Sequence, residues 1–177
     1  MSYQLYEIDL SFPYEALRVF IPVTGTLLSF IIFWFSWQSP KLKSRLIEQN
    51  GHDMGWAKLV IHTKILGGLS MGLLPAVAYF IAFPETRLQD FGWTLPPATR
   101  TATFLWIFAL SALMIFLVQF NAKKPESLEH YPQIRATRWT PGMIRGSLLG
   151  WTIYLLGYEA LFRGVLLFPL VDAIGLW

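Results

Sequence analysis

The sequence predicts an all-α integral membrane protein in which about four transmembrane helices form part of a polytopic helical bundle. Of the 177 residues, 54% are hydrophobic and only 14% are charged, whereas a typical soluble domain carries about 25% charged residues. The apolar residues form continuous runs, which favours spanning helices over the alternating strands of a membrane β-barrel. The composition excludes disordered and collagenous classes, and the absence of cysteine excludes disulfide-rich secreted proteins.

Four apolar segments are long enough to cross a bilayer, whose core is about 30 Å thick and needs about 20 residues of helix. The predicted spans are residues 17–37, 65–84, 101–122 and 146–170, within a single membrane domain covering 1–177. The fourth span contains Glu159 and Arg163, and a charged residue at the centre of a span costs about 2.5–3.5 kcal/mol of insertion free energy. We therefore expect the fourth helix to lie inside the bundle, with its charged face turned away from lipid.

The basic residues are unevenly divided among the connections between spans. The first connection has Lys41, Lys43, Arg45, Lys58 and Lys64, the second has Arg87 and Arg100, and the third has Lys123, Lys124, Arg135, Arg138 and Arg145. Cytoplasmic connections carry the excess of Lys and Arg, so this pattern predicts that the first and third connections are cytoplasmic. Because the basic residues form no continuous stripe, we expect the lipid bilayer, and no nucleic acid, as a partner.

Glu159 and Arg163 are the strongest candidates for chemistry. A spacing of four places both side chains on one helical face and within reach of each other, and ionisable residues inside a membrane are candidates for function. The carboxylate could act as a general base on water while the guanidinium orients it or stabilises an oxyanion. The same pair could relay protons, or it could be an ion pair that only neutralises two costly charges. The spacing alone leaves these interpretations open.

Residues 158–166, Tyr-Glu-Ala-Leu-Phe-Arg-Gly-Val-Leu, resemble the first signature of the CPBP intramembrane protease family. This family includes type II CAAX prenyl endopeptidases and bacteriocin-processing or immunity proteins, and its signature is commonly Glu-Glu, three residues and Arg, often ending Phe-Arg-Gly. Glu159, Phe162, Arg163 and Gly164 match it. Residues 91–97, Phe-Gly-Trp-Thr-Leu-Pro-Pro, are similar to a segment that often precedes the family's core. The resemblance implies peptide-bond hydrolysis on a peptide or protein substrate in a prokaryotic cell membrane.

The chain departs from the family pattern in two respects. Tyr158 replaces the first Glu of the signature, and a phenol is a poor base at neutral pH, so Glu159 would help activate water and Tyr158 would at most donate a hydrogen bond. The family's later Phe-x-x-x-His and His-x-x-x-Asn/Asp motifs have no match, because the last histidine is His130. We therefore expect the chain to resemble only the amino-terminal part of a family member. The alternative is a non-catalytic membrane module, immunity-like or an assembly protein, with Glu159 and Arg163 as an internal strut.

The histidines give no sign of a metal or cofactor site. His52, His62 and His130 lie in connections or at the edge of a span, without His-Glu-x-x-His or another metal-binding spacing. We therefore identify no cofactor or metal ligand in this chain, and we do not expect these histidines to replace the missing motifs.

Small residues predict where helices approach one another. Residues 68–72, Gly-Leu-Ser-Met-Gly, fit the Gly-x-Ser-x-Gly nucleophile pattern, but that pattern requires a strand before the serine. Inside an apolar helix, Gly68 and Gly72 instead indicate a surface that lets a neighbouring helix approach closely, so other membrane helices are possible partners of this span. The ladder Gly142, Gly146 and Gly150 predicts the same kind of contact in the fourth helix.

The predicted topology can be tested with single cysteines, because the chain contains none. We expect cysteines introduced at Ser44 and Thr86 to react with a membrane-impermeant maleimide from opposite sides of the membrane. The protein should enter solution only with detergent, and the cysteine-free parent provides the background. Reaction of both positions from the same side would contradict the topology.

Overall fold

The structure, a computed structural model, describes residues 14–130 and 133–174 and is all-α over those ranges. Its α-helices are α1 (Tyr14–Gln38), α2 (Pro40–Asn50), α3 (His52–Ala82), α4 (Pro97–Asn121), α5 (Pro125–His130), α6 (Pro141–Glu159) and α7 (Leu167–Ile174). A 3₁₀ turn covers Leu88–Phe91, and a π-helical stretch, Ala160–Leu166, joins α6 to α7. Four helical segments are long and apolar enough to cross a membrane: Ala16–Gln38, His52–Ala82, Pro97–Asn121 and Pro141–Ala173.

Helix α3 is the centre of the packed bundle, and α1 runs antiparallel to it. Gly25 of α1 lies against Pro75, so closely that an added Cβ would be 2.6 Å from the proline Cβ. One turn further along α1, the buried Ser29 hydroxyl donates a hydrogen bond of 2.9 Å to the Ser70 carbonyl. A glycine contact and an interhelical hydrogen bond are the interactions expected between helices in lipid, where apolar side chains alone give little preference for another helix.

Helices α3 and α6 run parallel, with their backbones in contact. Ile61 lies against Gly146, and further along both helices Gly68 lies against Gly157, where an added Cβ would overlap the opposing backbone. The predicted contact surface at Gly68 and Gly72 is thereby confirmed, since both approach Gly157.

The predicted glycine ladder in the fourth helix is confirmed only in part. Gly146 and Gly150 face α3, whereas Gly142 has only the Thr140 hydroxyl within 4 Å of an added Cβ. Gly142 lies in the first turn of α6, two residues after the capping residue Thr140, and the buried Met143 rather than Gly142 packs against α3 there.

The parallel pairing of α3 and α6 requires the chain to cross back between them, and α4 makes this crossing. Phe91 packs near the carboxyl end of α3 against Tyr79 and Phe83, while Ile134 packs near its amino end against Ala57 and Val60. The 25 residues of α4 extend about 37 Å at 1.5 Å per residue, enough to span the hydrocarbon core.

Helix α4, the third of the four predicted spans, stands apart from the others and has no buried residue. Among the spans that the structure describes, α1, α3 and the helix from α6 to α7 pack together, and the short α2 packs against α3. Side chains such as Phe108, Met114 and Phe120 are exposed around α4. Lipid tails solvate such side chains as well as a protein neighbour does, and α4 lacks the glycine contacts that hold α3 and α6 together.

The sequence analysis counted Lys64 among the basic residues of the first connection, but Lys64 lies within α3. Helix α3 begins at His52 and therefore contains both Lys58, which is exposed, and Lys64, which is only 7% exposed. The Lys64 Nζ lies 4.0 Å from the ring centroid of Trp151, 4.1 Å from that of Tyr154 and 5.5 Å from that of Phe33. These rings stabilise the ammonium through cation–π interactions, so a cation is held where α1, α3 and α6 meet.

The helix contact at Gly157 gives a stability prediction. Gly157→Ala should destabilise the bundle by about 2–3 kcal/mol, because the new methyl group overlaps the Gly68 carbonyl and overpacking typically costs 1–3 kcal/mol. The matched control is Gly142→Ala, whose methyl group meets only the Thr140 hydroxyl at an ordinary contact distance of 3.8 Å, and it should be neutral or stabilising by up to about 1 kcal/mol. Unfolding in mixed micelles measures both variants, and equal stability of the two would contradict the contact.

Candidate functional site

The helix that carries the candidate residues changes its winding directly after Glu159. Residues Ala160–Leu166 form a π-helical stretch between α6 and α7, and Arg163 lies within it. Short π-helical insertions are rare and occur frequently at functional sites. The Arg163 Nε nevertheless donates to the Glu159 Oε2 at 2.7 Å, so the ion pair predicted from the spacing of four is present.

The expectation that this pair faces the bundle interior is wrong. The side chain of Glu159 is 47% exposed and that of Arg163 is 80% exposed. The opposite face of the same helix is held inside the bundle, where Leu161 and Val165 are fully buried. Because the glycines of α6 turn that face toward α3, the charged face points outward.

A cavity of about 500 Å³ lies beside the ion pair. It is lined by Phe91, Gly92, Trp93, Leu156, Glu159, Ala160, Arg163 and Phe168. The volume is that of a small-molecule or side-chain pocket, and a largely apolar wall with a few polar groups is typical of such sites. One wall comes from the connection between α3 and α4, and the other comes from α6 and the turns that follow it.

The two segments that carry the family resemblance are in contact at this cavity. A Cβ added to Gly164 would lie 2.7 Å from the Trp93 Nε1, so only glycine leaves room for the indole. Gly92 has φ +68°, and a Cβ there would lie 2.7 Å from the Phe168 ring. Residues 91–97 and 158–166 therefore meet in one surface, although they are separated along the chain by all of α4.

Tyr158 belongs to a different face of the helix. Its ring centroid lies 4.5 Å from that of Phe162 and 6.4 Å from that of Tyr154, and Phe162 in turn contacts Phe30 of α1. Tyr158 is not among the residues that line the cavity. Of the three predicted site residues, the structure therefore brings Glu159 and Arg163 together and directs Tyr158 toward an aromatic row beside α1.

The remaining candidates for chemistry lie away from this cavity. Along the helix axes, His52 at the amino end of α3 is about 30 Å from Glu159 and His62 is about 15 Å from it, and the His130 side chain lies outside the described residues. The Ser70 hydroxyl is buried and donates to the Gly67 carbonyl of its own helix, as expected for a packing residue. The described part of the chain has no group of three or more His, Asp or Glu side chains arranged to hold a metal.

Trp93 and Phe168 are two aromatic residues of the cavity that the sequence analysis did not single out. Trp93 lies within the segment 91–97, so the resemblance marked its neighbourhood, but nothing in the sequence indicated that its indole reaches Gly164. Phe168 follows the signature and is indistinguishable in sequence from other aromatic residues of a span. Comparison with family models, curated proteins and solved structures found no match.

The ion pair gives a prediction for double-variant analysis. Glu159→Leu and Arg163→Leu should each lower stability in lipid by up to about 3 kcal/mol, because each leaves one unpaired charge at the membrane. The double variant should recover most of that loss, since both charges are then removed. Reversible unfolding in mixed micelles measures the coupling.

Thr152→Leu serves as the control for this cycle, because it adds a leucine at an exposed, uncharged position of α6. It should leave stability within about 0.5 kcal/mol of the parent. Losses that simply add in the double variant would show that the two residues act independently.

Proposed function

We propose that this chain provides the glutamate–arginine part of a CPBP-like intramembrane peptidase site in a prokaryotic cell membrane. We further propose that it binds a peptide or protein substrate but does not hydrolyse it alone. The observation that carries the proposal is the position of the paired Glu159 and Arg163 on the wall of an open cavity. A pair that served only to neutralise charge would need no cavity beside it.

The cavity suits an apolar substrate segment next to a polar bond. Leu156, Ala160 and Phe168 offer an apolar surface, and the two charged side chains are the ionisable groups that line it. An apolar or prenylated side chain of a peptide would contact that surface while its backbone carbonyl lies near Arg163. Binding energy from such remote contacts is what an enzyme uses to position the reacting bond.

In this proposal Glu159 and Arg163 have different roles. Arg163 contacts Oε2 of Glu159, which leaves Oε1 as the oxygen that would accept a proton from a water molecule. The guanidinium remains cationic throughout and would orient the carboxylate or stabilise a developing oxyanion. A general base must lie within hydrogen-bond reach of its water, and the open side of the cavity provides the access that such a water needs.

Hydrolysis also needs an acid for the leaving amine and further donors for the oxyanion, and these are the parts that we propose are lacking. One Arg cannot readily serve both purposes while it is bonded to the base. Tyr158 lies on another face, and His52 and His62 lie about 30 Å and about 15 Å along the helix axes from Glu159. Loss of one oxyanion donor alone costs about a hundred- to a thousandfold in rate.

One observation favours the alternative of a non-catalytic membrane module. The exposed guanidinium of Arg163 is bonded to Glu159, so the two charges neutralise each other on a surface that would otherwise present them singly to lipid. In this interpretation the pair is a strut on the outside of the bundle and the cavity holds no substrate.

Peptide binding separates the two candidates. In the peptidase-like proposal, purified protein in nanodiscs should bind prenylated peptides, and Ala160→Trp should abolish binding because the indole fills the cavity. Ala109→Trp, on the exposed surface of α4, is the matched control and should bind like the parent. If neither the parent nor the control bound prenylated peptides, the result would favour the alternative in which the ion pair has only a structural role.

Activity is tested separately by incubating the parent, Glu159→Gln and Glu48→Gln with prenylated and unprenylated peptide libraries. We expect no cleavage by any of the three, because the acid and the oxyanion donors are lacking. Glu48 is exposed on α2 and provides the matched carboxylate control. Cleavage by the parent and Glu48→Gln that disappears in Glu159→Gln would overturn the expected inactivity and identify Glu159 as the base.

A further inference from the structure

A second cavity of about 380 Å³ lies at the opposite end of the bundle, between α2 and α3. Ser39 caps the amino end of α2, and its hydroxyl accepts a hydrogen bond from the Leu42 amide at 3.3 Å. The chain then reverses at Gly51, where φ is +76°. Gly55 of α3 permits close contact with α2, because an added Cβ would lie 2.6 Å from the Ile47 Cα. The two helices therefore form a tight hairpin that holds the cavity walls in place.

The cavity combines an aliphatic floor with a basic rim. The floor is formed by Leu42, Leu46, Ile61 and Ile65. Arg45, Lys58 and His62 form the rim, and all three side chains are exposed. Lys58 also donates a hydrogen bond to the Asn50 side chain, which holds the ammonium near the end of α2. Glu48, the acid of α2, does not line the cavity.

The position of this cavity matches the boundary between lipid headgroups and acyl chains. Ile65 begins the uncharged run 65–84, while Lys58 lies in the part of α3 that precedes it. The basic connection before this run is on the side that the positive-inside rule assigns to the cytoplasm. A ligand in the cavity would therefore have its anionic part among the cations and its apolar part along the start of the span.

We propose that this cavity binds an anionic phospholipid. Arg45 and Lys58 would contact the phosphate of the headgroup, with His62 beside them, and one acyl chain would lie along the aliphatic floor. The positive charges of Arg45 and Lys58 favour an anionic ligand. The aliphatic floor favours a ligand that also has an apolar chain, which a free phosphate lacks. Basic pockets next to membrane helices on the cytoplasmic side are suited to such headgroups.

Native mass spectrometry of the full chain in detergent tests this proposal, with phosphatidylglycerol as the probe and phosphatidylcholine as the neutral comparison. The triple variant Arg45→Gln, Lys58→Gln, His62→Gln should bind phosphatidylglycerol roughly 30-fold more weakly than the parent. Each charged basic residue near a membrane surface strengthens the binding of an anionic lipid about fivefold. The figure of roughly 30-fold counts Arg45 and Lys58, because both are always charged. Arg45→Gln and Lys58→Gln alone should each weaken binding about fivefold, and they remain informative if the triple variant folds poorly.

The matched control removes three exposed basic residues from the other connection assigned to the cytoplasm, as Lys123→Gln, Lys124→Gln, Arg138→Gln. It should bind phosphatidylglycerol like the parent. An equal loss in both triple variants would show a general effect of surface charge and would overturn the proposed site, as would equal binding of phosphatidylcholine. Inorganic phosphate and glycerol 1-phosphate should not displace the lipid, and displacement by either would identify a site for soluble anions instead.

Discussion

The backbone contact between Gly68 of α3 and Gly157 of α6 is the constraint on which the rest of the structure depends. Helices in lipid gain little from burying apolar side chains against one another, so close approach through small residues decides which helices pack. This contact sets the register of the parallel pair. It also sets the rotation of α6, since the face that carries Gly157 and Leu161 must point inward. Glu159 and Arg163, on the other face, are consequently directed outward.

The parallel direction of α3 and α6 determines the course of the chain between them. A crossing is required, and α4 provides it without joining the bundle. The connection into α4 must begin at the end of the bundle where the π-helical stretch lies. Phe91 is anchored there in the core and Trp93 reaches Gly164. The wall of the candidate site is thus a consequence of helix direction, and the apolar residues of α4 are left for the bilayer to solvate.

The bundle accommodates its charges in two different ways. Lys64 is buried and surrounded by the rings of Phe33, Trp151 and Tyr154, so cation–π contacts from two neighbouring helices stabilise it. Glu159 and Arg163 are exposed and stabilise each other within one helix. The first arrangement joins helices and leaves the cation little access to a ligand. The second leaves both charged groups beside a cavity, which is why the proposed chemistry is assigned to that pair.

The sequence by itself determined the all-α class, the four apolar helices, the contact of Glu159 with Arg163 and the glycine surface of α3. Each of these follows from length, composition or spacing within a single helix, and such properties are local. Only the tertiary structure decided that the ion pair faces outward, that α4 stands apart, that Lys64 is buried and that Trp93 covers Gly164. These features depend on how a helix is rotated against a neighbour distant in sequence. That rotation is set by which backbones can touch, and apolar runs that are nearly uniform around the helix do not encode it.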